Sequence, residues 1–147
     1  MMTHANQDSE ARTGTRQGSC LCGAIRYRLH GALPDFEACH CVQCRKAQGG
    51  PFVVVAPIEE HALHWLSGKE LLTAYSASPG KERVFCGRCG SPMFSRREDA
   101  PGRIRLRVGT LDGATGASIA SHAHVASKAD WFALEDDRPQ HAGPRPS

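Results

Sequence analysis

Seven cysteines, gathered in three short clusters, constrain the fold of this chain more than any other feature. The clusters are Cys20-Leu21-Cys22, Cys39-His40-Cys41-Val42-Gln43-Cys44 and Cys86-Gly87-Arg88-Cys89. An odd number of cysteines excludes a fully paired set of disulfides within one chain. In a reducing compartment, clustered thiols are more often metal ligands or redox groups than bridges. The clusters therefore predict metal binding.

The sequence has no pattern that would take the chain into or across a membrane. Residues 1–17 contain no apolar run, so we expect no secretory signal. The longest apolar stretch, residues 52–56, is about a quarter of the roughly 20 residues that span a bilayer. We therefore expect a soluble, cytoplasmic protein without a membrane partner, in which the thiols stay reduced.

The length suits one domain, and the composition indicates a small core. Of the 147 residues, 40% are hydrophobic and only 6% are aromatic, so apolar burial alone gives a thin interior. Polar residues dominate the start of the chain, and the end combines prolines with charges. We predict a disordered tail over residues 1–17, a folded domain over residues 18–140 and a C-terminal tail over residues 141–147.

Short segments with alternating apolar and polar residues predict a mostly β fold of antiparallel strands. In residues 103–108 every second residue is apolar, and the arginines between them, Arg103, Arg105 and Arg107, are expected to face water. Residues 42–48 form the one predicted helix, which two glycines end. The predicted strands are residues 24–29, 36–39, 52–56, 63–66, 71–75, 83–86, 93–96, 103–108 and 122–125.

Counting ligands divides the cysteines into four and three, because zinc prefers four tetrahedral ligands. The first and third clusters together supply four thiolates: Cys20, Cys22, Cys86 and Cys89. The central cluster supplies three: Cys39, Cys41 and Cys44. Four ligands close a structural site, whereas three leave a position for water or substrate, as in catalytic sites. We predict one zinc that links the start of the domain to its middle and a second, open zinc.

Other interpretations of the cysteines stay open at this point. Disulfides leave one cysteine over and need an oxidising compartment. A thioredoxin-like redox role for Cys86 and Cys89 lacks the βαβ pattern that normally surrounds such a pair. A single four-cysteine zinc, with the central three cysteines merely buried, is the plainest alternative.

Three histidines bear on the second site. His40 lies between two cysteines and points away from them if the segment is extended, which favours a polar contact over a ligand role. His122 and His124 share one face of a predicted strand. A fourth ligand and a general acid are both open to them, beside the plainer role of a hydrogen-bonded histidine.

Three sequence strings closely resemble the glutathione-dependent formaldehyde-activating enzyme family, which shares its domain with centromere protein V. They are Gly18-Ser19-Cys20-Leu21-Cys22-Gly23-Ala24-Ile25, Cys39-His40-Cys41-x-x-Cys44-Arg45-Lys46 and Phe85-Cys86-Gly87-x-Cys89-Gly90-Ser91-Pro92. Residues 108–112 and 127–132 are also similar to that family, so the resemblance runs over residues 18–140. One departure is Asp130, which stands where the family often has proline.

The resemblance implies a β-tent zinc fold with two metal sites in one domain. It places Cys20, Cys22, Cys86 and Cys89 at the structural zinc, and Cys39, Cys41 and Cys44 at the second, catalytic zinc. The activity it implies is the condensation of glutathione with formaldehyde to S-hydroxymethylglutathione, a carbon-sulfur lyase reaction. Arg45 and Lys46 would then be placed to attract the carboxylates of glutathione, the co-substrate.

The ligand type favours thiol chemistry, and the charge argues against nucleic acid. Three thiolates lower the Lewis acidity of zinc compared with three histidines, so binding a thiol is more natural than activating water. The alternative is a non-catalytic zinc module that binds protein or nucleic acid. Against nucleic acid, the formal charge of +3 falls to about zero once two zinc ions on seven thiolates are counted.

Overall fold

The computed structural model describes residues 14–146. Within that range the chain forms one α-helix, α1 (Val42–Gln48), and ten strands. The strands are β1 (Thr15–Ser19), β2 (Arg26–His30), β3 (Phe36–Cys39), β4 (Val53–Glu59), β5 (Leu63–Ser67), β6 (Leu72–Ser78), β7 (Lys81–Cys86), β8 (Pro92–Arg97), β9 (Arg103–Arg107) and β10 (Ile119–Ala123). The fold is thus mostly β, as predicted.

The strands form two sheets, one of three strands in the order β1-β2-β5 and one of seven in the order β10-β3-β4-β9-β8-β7-β6. All the named pairs are antiparallel except β10 and β3, which run parallel. The expectation of purely antiparallel strands is wrong for that pair. The chain leaves β9 through a 3₁₀ turn and a loop that returns it to Phe36, at the start of β3, so β10 runs in the same direction.

The main core joins one face of each sheet. Tyr27 and Leu29 of the small sheet are buried in one cluster with Ile58, Val84 and Leu106 of the large sheet. Burying apolar surface between two sheets supplies most of the stabilisation of such a fold.

α1 packs on part of the other face of the large sheet. We call this face the cysteine face, and its members on β3, β4, β9, β8 and β7 are Glu37, Cys39, Val53, Val55, Arg105, Arg107, Ser95 and Arg83. They share one side because directly paired residues of antiparallel strands point the same way. Cys44 of α1 packs here against Val53 and Val55.

A close approach links β1 to the core and to β9. At Gly18 an added Cβ would lie 2.1 Å from the ring of Tyr27, so only glycine fits without movement. The Tyr27 hydroxyl is 2.7 Å from Thr110 Oγ1, which donates to the carbonyl oxygen of Arg107 at 2.8 Å. Since that proton is already used, the tyrosine hydroxyl is the donor to Thr110.

The predicted helix and the strand Phe36–Cys39 are confirmed residue for residue. The other predicted strands are present with shifted ends, and β1 was not predicted. Because β1 begins at Thr15, residues 15–17 belong to the fold and not to the predicted tail. At the other end, residues 141–143 hydrogen-bond to residues within 122–126, so hydrogen-bonded structure continues past the predicted boundary at 140. The rest of the predicted N-terminal tail, residues 1–13, lies outside the described residues.

In the described part of the chain, no helix has the length and apolar character needed to cross a membrane.

Candidate metal centres

Four cysteine sulfurs from two parts of the chain come together, and we call this group the four-cysteine cluster. Cys20 and Cys22 lie between β1 and β2, Cys86 is the last residue of β7, and Cys89 lies in the turn between β7 and β8. The four Sγ atoms all lie within 4.8 Å of one another. Neighbouring sulfurs of Cys20 and Cys22 are 3.5 Å apart, and those of Cys22 and Cys86 are 4.0 Å apart.

This arrangement fits a tetrahedral zinc. With Zn–S bonds of about 2.3 Å, tetrahedral sulfurs lie about 3.8 Å apart. Backbone amides also point at the sulfurs: Ile25 N donates to Cys20 Sγ at 3.3 Å, and the amides of Arg88 and Cys89 donate to Cys86 Sγ at 3.4 Å. Such donors stabilise thiolate charge in a metal site.

The other three cysteines, which we call the three-cysteine cluster, come from one short segment at the end of β3. Cys39 is the last residue of β3, Cys41 is the N-cap of α1, and Cys44 lies in its first turn. Their three Sγ atoms lie within 4.8 Å of one another. Cys41 Sγ accepts a hydrogen bond from Cys44 N at 3.3 Å, so the sulfur also caps the helix. Three sulfurs leave one tetrahedral position to another ligand. All seven cysteines are free thiols, which excludes the disulfide interpretation for this structure.

A buried guanidinium touches the three-cysteine cluster. Arg83 of β7 is only 9% exposed, and its Nη2 lies 3.6 Å from Cys44 Sγ. Hydrogen bonds from Cys39 and Cys41, and then the hydrogen bond and charge of Arg83, hold the pKa of Cys44 well below its usual range. The site thus favours a thiolate at Cys44.

Arg107 does not face water, and the prediction that it does is wrong. Its exposure is 6%, although it lies on the cysteine face beside Val55. Its Nη1 donates to Ser95 Oγ at 3.3 Å and to the carbonyl oxygen of Arg105 at 3.1 Å. Burial, followed by the positive charge of Arg83, lowers the pKa of Arg107 to about 10, so it stays charged at neutral pH.

A small cavity of about 100 Å³ opens beside the three sulfurs. Its lining is rich in cations, with one buried carboxylate, Glu37, which pairs with Arg105 at 3.6 Å. The lining cations are Lys81, Arg83, Arg97, Arg105, Arg107 and Arg145. None was predicted as a site residue. Their signal in the sequence is weak, since arginines alternating along a strand usually mark a solvated face.

The histidines take different places. His40 is fully buried, and its Nε2 lies 2.9 Å from His122 Nδ1, which confirms the predicted polar contact. His122 Nε2 lies 2.8 Å from Asp136 Oδ2. His124 lies beyond the end of β10 and has φ +57°, so the prediction that it shares a strand face with His122 is wrong. Of these three histidines, His124 alone lines the cavity beside the three cysteines.

The Asp136 carboxylate determines which nitrogen of His122 carries the proton, and so the direction of the hydrogen bond between His122 and His40. It accepts from His122 Nε2–H, so His122 Nδ1 accepts from His40 Nε2–H when both rings are neutral. Burial, with the charge of His122, lowers the pKa of His40 to about 4. His40 is therefore a neutral, structural contact on the segment that joins Cys39 to Cys41.

The two positively charged residues predicted to bind the carboxylates of glutathione do not line the cavity beside the three cysteines. Arg45 and Lys46 occupy the last turn of α1, and neither lines the cavity beside the cysteines. Asp130, the departure from the family pattern, is exposed and does not line that cavity either.

One family model and several known proteins are similar to this chain. A family model described as "Glutathione-dependent formaldehyde-activating enzyme" matches residues 15–129. A Halomonas elongata protein named "Putative glutathione-dependent formaldehyde-activating enzyme" is 30% identical over 127 residues, 81% of this chain and 80% of that protein. A Schizosaccharomyces pombe protein named an uncharacterized lyase is 31% identical over 116 residues, 79% of this chain and 82% of that one. A Rhodobacter sphaeroides crystal structure superposes with a TM-score of 0.57 and 26% identity, covering 67% of this chain and 89% of that one.

Proposed function

Because the chain belongs to the glutathione-dependent formaldehyde-activating enzyme family, we propose that it is a zinc-dependent enzyme of the carbon-sulfur lyase type. Its reaction joins glutathione, or another thiol, to formaldehyde or another small electrophile. The names of the Halomonas and Schizosaccharomyces relatives support both the substrates and the reaction class. The free thiols support the expected cytoplasmic location, since a reducing compartment preserves them.

The observation that carries this proposal is the three-sulfur cluster with a cavity beside it. We assign the structural zinc to Cys20, Cys22, Cys86 and Cys89, and the second zinc to Cys39, Cys41 and Cys44. When bound at the second site, zinc supplies a positive centre that holds a thiolate as a nucleophile or stabilises a developing alkoxide.

The side chains of the protein have distinct parts in this proposal. Arg83 neutralises part of the thiolate charge through its contact with Cys44. The helix N-cap fixes Cys41, and the buried contact of His40 fixes the segment between Cys39 and Cys41. The cavity, with its excess of positive charge, attracts a negatively charged thiol substrate.

Metal content and turnover test the proposal together. We expect two zinc ions per chain, one of which a mild chelator removes without unfolding the protein. The Cys41→Ser variant should lose that labile zinc. It should form S-hydroxymethylglutathione no faster than the spontaneous reaction. Arg103→Gln is the matched control, because Arg103 is exposed and pairs with Glu59 outside the cysteine cavity. Full turnover by the Cys41→Ser variant would refute the proposed role of the second site.

A further inference from the structure

A second cavity, of about 280 Å³, lies next to the three-cysteine site, between the end of α1 and strands β6 to β9. We call it the apolar groove. Its walls include Tyr75, Phe85 and Phe94, and Tyr75 is 65% exposed at its edge. A large exposed aromatic residue beside other apolar side chains is typical of a ligand groove.

Two guanidinium groups form the shared wall of the groove and of the cysteine cavity. Arg83 and Arg107 line both spaces. Arg83 also lies 3.6 Å from Cys44 Sγ, so a ligand in the groove would reach the immediate surroundings of the cysteine cluster. The groove and the proposed reaction site are therefore neighbours and not independent features.

The wall has more positive charge than its protein surroundings neutralise. Among residues 14–146, neither arginine forms an ion pair with a carboxylate. Arg107 is buried, and the hydrogen-bond acceptors of its Nη1 are a neutral hydroxyl and a carbonyl. A buried charge is costly unless it is paired. With zinc bound, the three thiolates would leave the site with about one negative charge, fewer than the two guanidinium charges of Arg83 and Arg107, so the shared wall keeps an excess of positive charge for another anion.

We propose that the apolar groove binds a small carboxylate with an apolar or aromatic body, its carboxylate on the Arg107 side of the shared wall and its body against Tyr75 and Phe85. An apolar cavity of about 150 Å³ already binds benzene, so the larger groove accommodates a phenyl ring with a short chain. The ligand's role as the thiol or the electrophile of the reaction rests on the proposed function. The binding itself does not.

Phenylacetate is the probe, with phenylacetamide as its uncharged counterpart and acetate as the anion without an apolar body. Binding to the zinc-loaded protein is followed by two-dimensional NMR, through the backbone amide shifts of Tyr75 and Phe85. We expect phenylacetate to bind about tenfold more tightly than phenylacetamide, because a charge-assisted hydrogen bond contributes roughly that factor. We expect it to bind at least about tenfold more tightly than acetate, because acetate has no phenyl ring to bury. Equal affinities for phenylacetate and phenylacetamide, or no saturable shifts, would overturn the proposal.

Variants assign the two contacts. Arg107→Gln should remove the preference for phenylacetate over phenylacetamide, whereas Arg103→Gln should keep it. Tyr75 is exposed, so Tyr75→Ser should fold. It should weaken the binding of phenylacetate and of phenylacetamide and leave the binding of acetate unchanged. If Arg107→Gln does not fold, the affinities of the three probes for the unmodified protein and for Tyr75→Ser still test whether the groove binds an apolar carboxylate. An unchanged preference in folded Arg107→Gln would contradict the assignment.

The outcomes separate this inference from the proposed function. Formation of S-hydroxymethylglutathione by a protein that does not bind phenylacetate would overturn the groove proposal alone. Selective phenylacetate binding by a zinc-loaded protein without that activity would overturn the proposed reaction alone.

Discussion

The two cysteine clusters should contribute very differently to stability, although each offers thiolates to one zinc. In the four-cysteine cluster, the touching sulfurs of Cys22 and Cys86 are 64 residues apart in the sequence. A cross-link that closes a loop of about this length lowers the entropy of the unfolded chain by an amount worth about 4 kcal/mol. In the three-cysteine cluster, the same relation gives about 2 kcal/mol for a loop of roughly five residues.

Matched double variants test this difference. Cys86→Ser with Cys89→Ser removes two thiolates and one zinc from the long closure, and Cys41→Ser with Cys44→Ser does the same for the short one. We expect the first pair to lose about 2 kcal/mol more of unfolding free energy than the second. Since whole domains are stable by about 5–15 kcal/mol, a loss of about 4 kcal/mol in the first variant is a large share of the total and readily measured.

Urea unfolding followed by tryptophan fluorescence provides the measurement. Trp65 is half-buried and packs against Tyr27 and Phe94, with ring centroids 5.9 and 6.0 Å apart, so it reports on the core. Trp131 is exposed, and a Trp131→Phe background removes its contribution. Equal losses for the two double variants, or a larger loss at the three-cysteine cluster, would refute the assignment of the long cross-link.

Three further predictions concern single side chains. Gly18→Ala should destabilise the fold by about 1–3 kcal/mol through overpacking, whereas Gly109→Ala, where a Cβ meets nothing within 4 Å, should change the unfolding free energy little; equal effects would contradict this. Tyr27→Phe should cost about 1 kcal/mol in the same assay, since one buried hydrogen bond is lost; an unchanged midpoint would show that this bond contributes nothing. Arg83→Gln should weaken zinc binding at the three-cysteine site by about tenfold in a chelator competition, with Arg103→Gln as control, and equal affinities in both variants would exclude that role.

The features predicted well from the sequence are those set by neighbours along the chain. The glycines after Gln48 predict the end of the helix, which the structure confirms, and the spacing within the central cysteine cluster places three sulfurs together, as the structure has them. β1 was missed because its residues, TRQGS, show no apolar alternation, and it forms by pairing with β2. A strand of that kind depends on tertiary contacts and not on its own propensity.

Arg107 shows the other limit of prediction from sequence. Alternation along β9 correctly separates the arginines from Ile104 and Leu106, which lie in the core. A period of two states which residues share a face, but it does not state what covers that face. Here Arg107 is 6% exposed on a face where the seven-residue α1 also packs, against Val53 and Val55 of the neighbouring β4. The buried cations beside the cysteines could therefore be found only from the three-dimensional arrangement.

The order of residues along the chain determines when the contact between Arg83 and Cys44 can form during synthesis. The ribosome makes Cys39, Cys41 and Cys44 within one short segment, well before β7 and β9. A nascent chain therefore presents three thiols whose guanidinium partners do not yet exist. The electrostatic environment of the site is completed late, after both arginine-bearing strands have joined the sheet. Metal captured early by the growing chain would meet a more electron-rich set of ligands than the metal held by the finished protein.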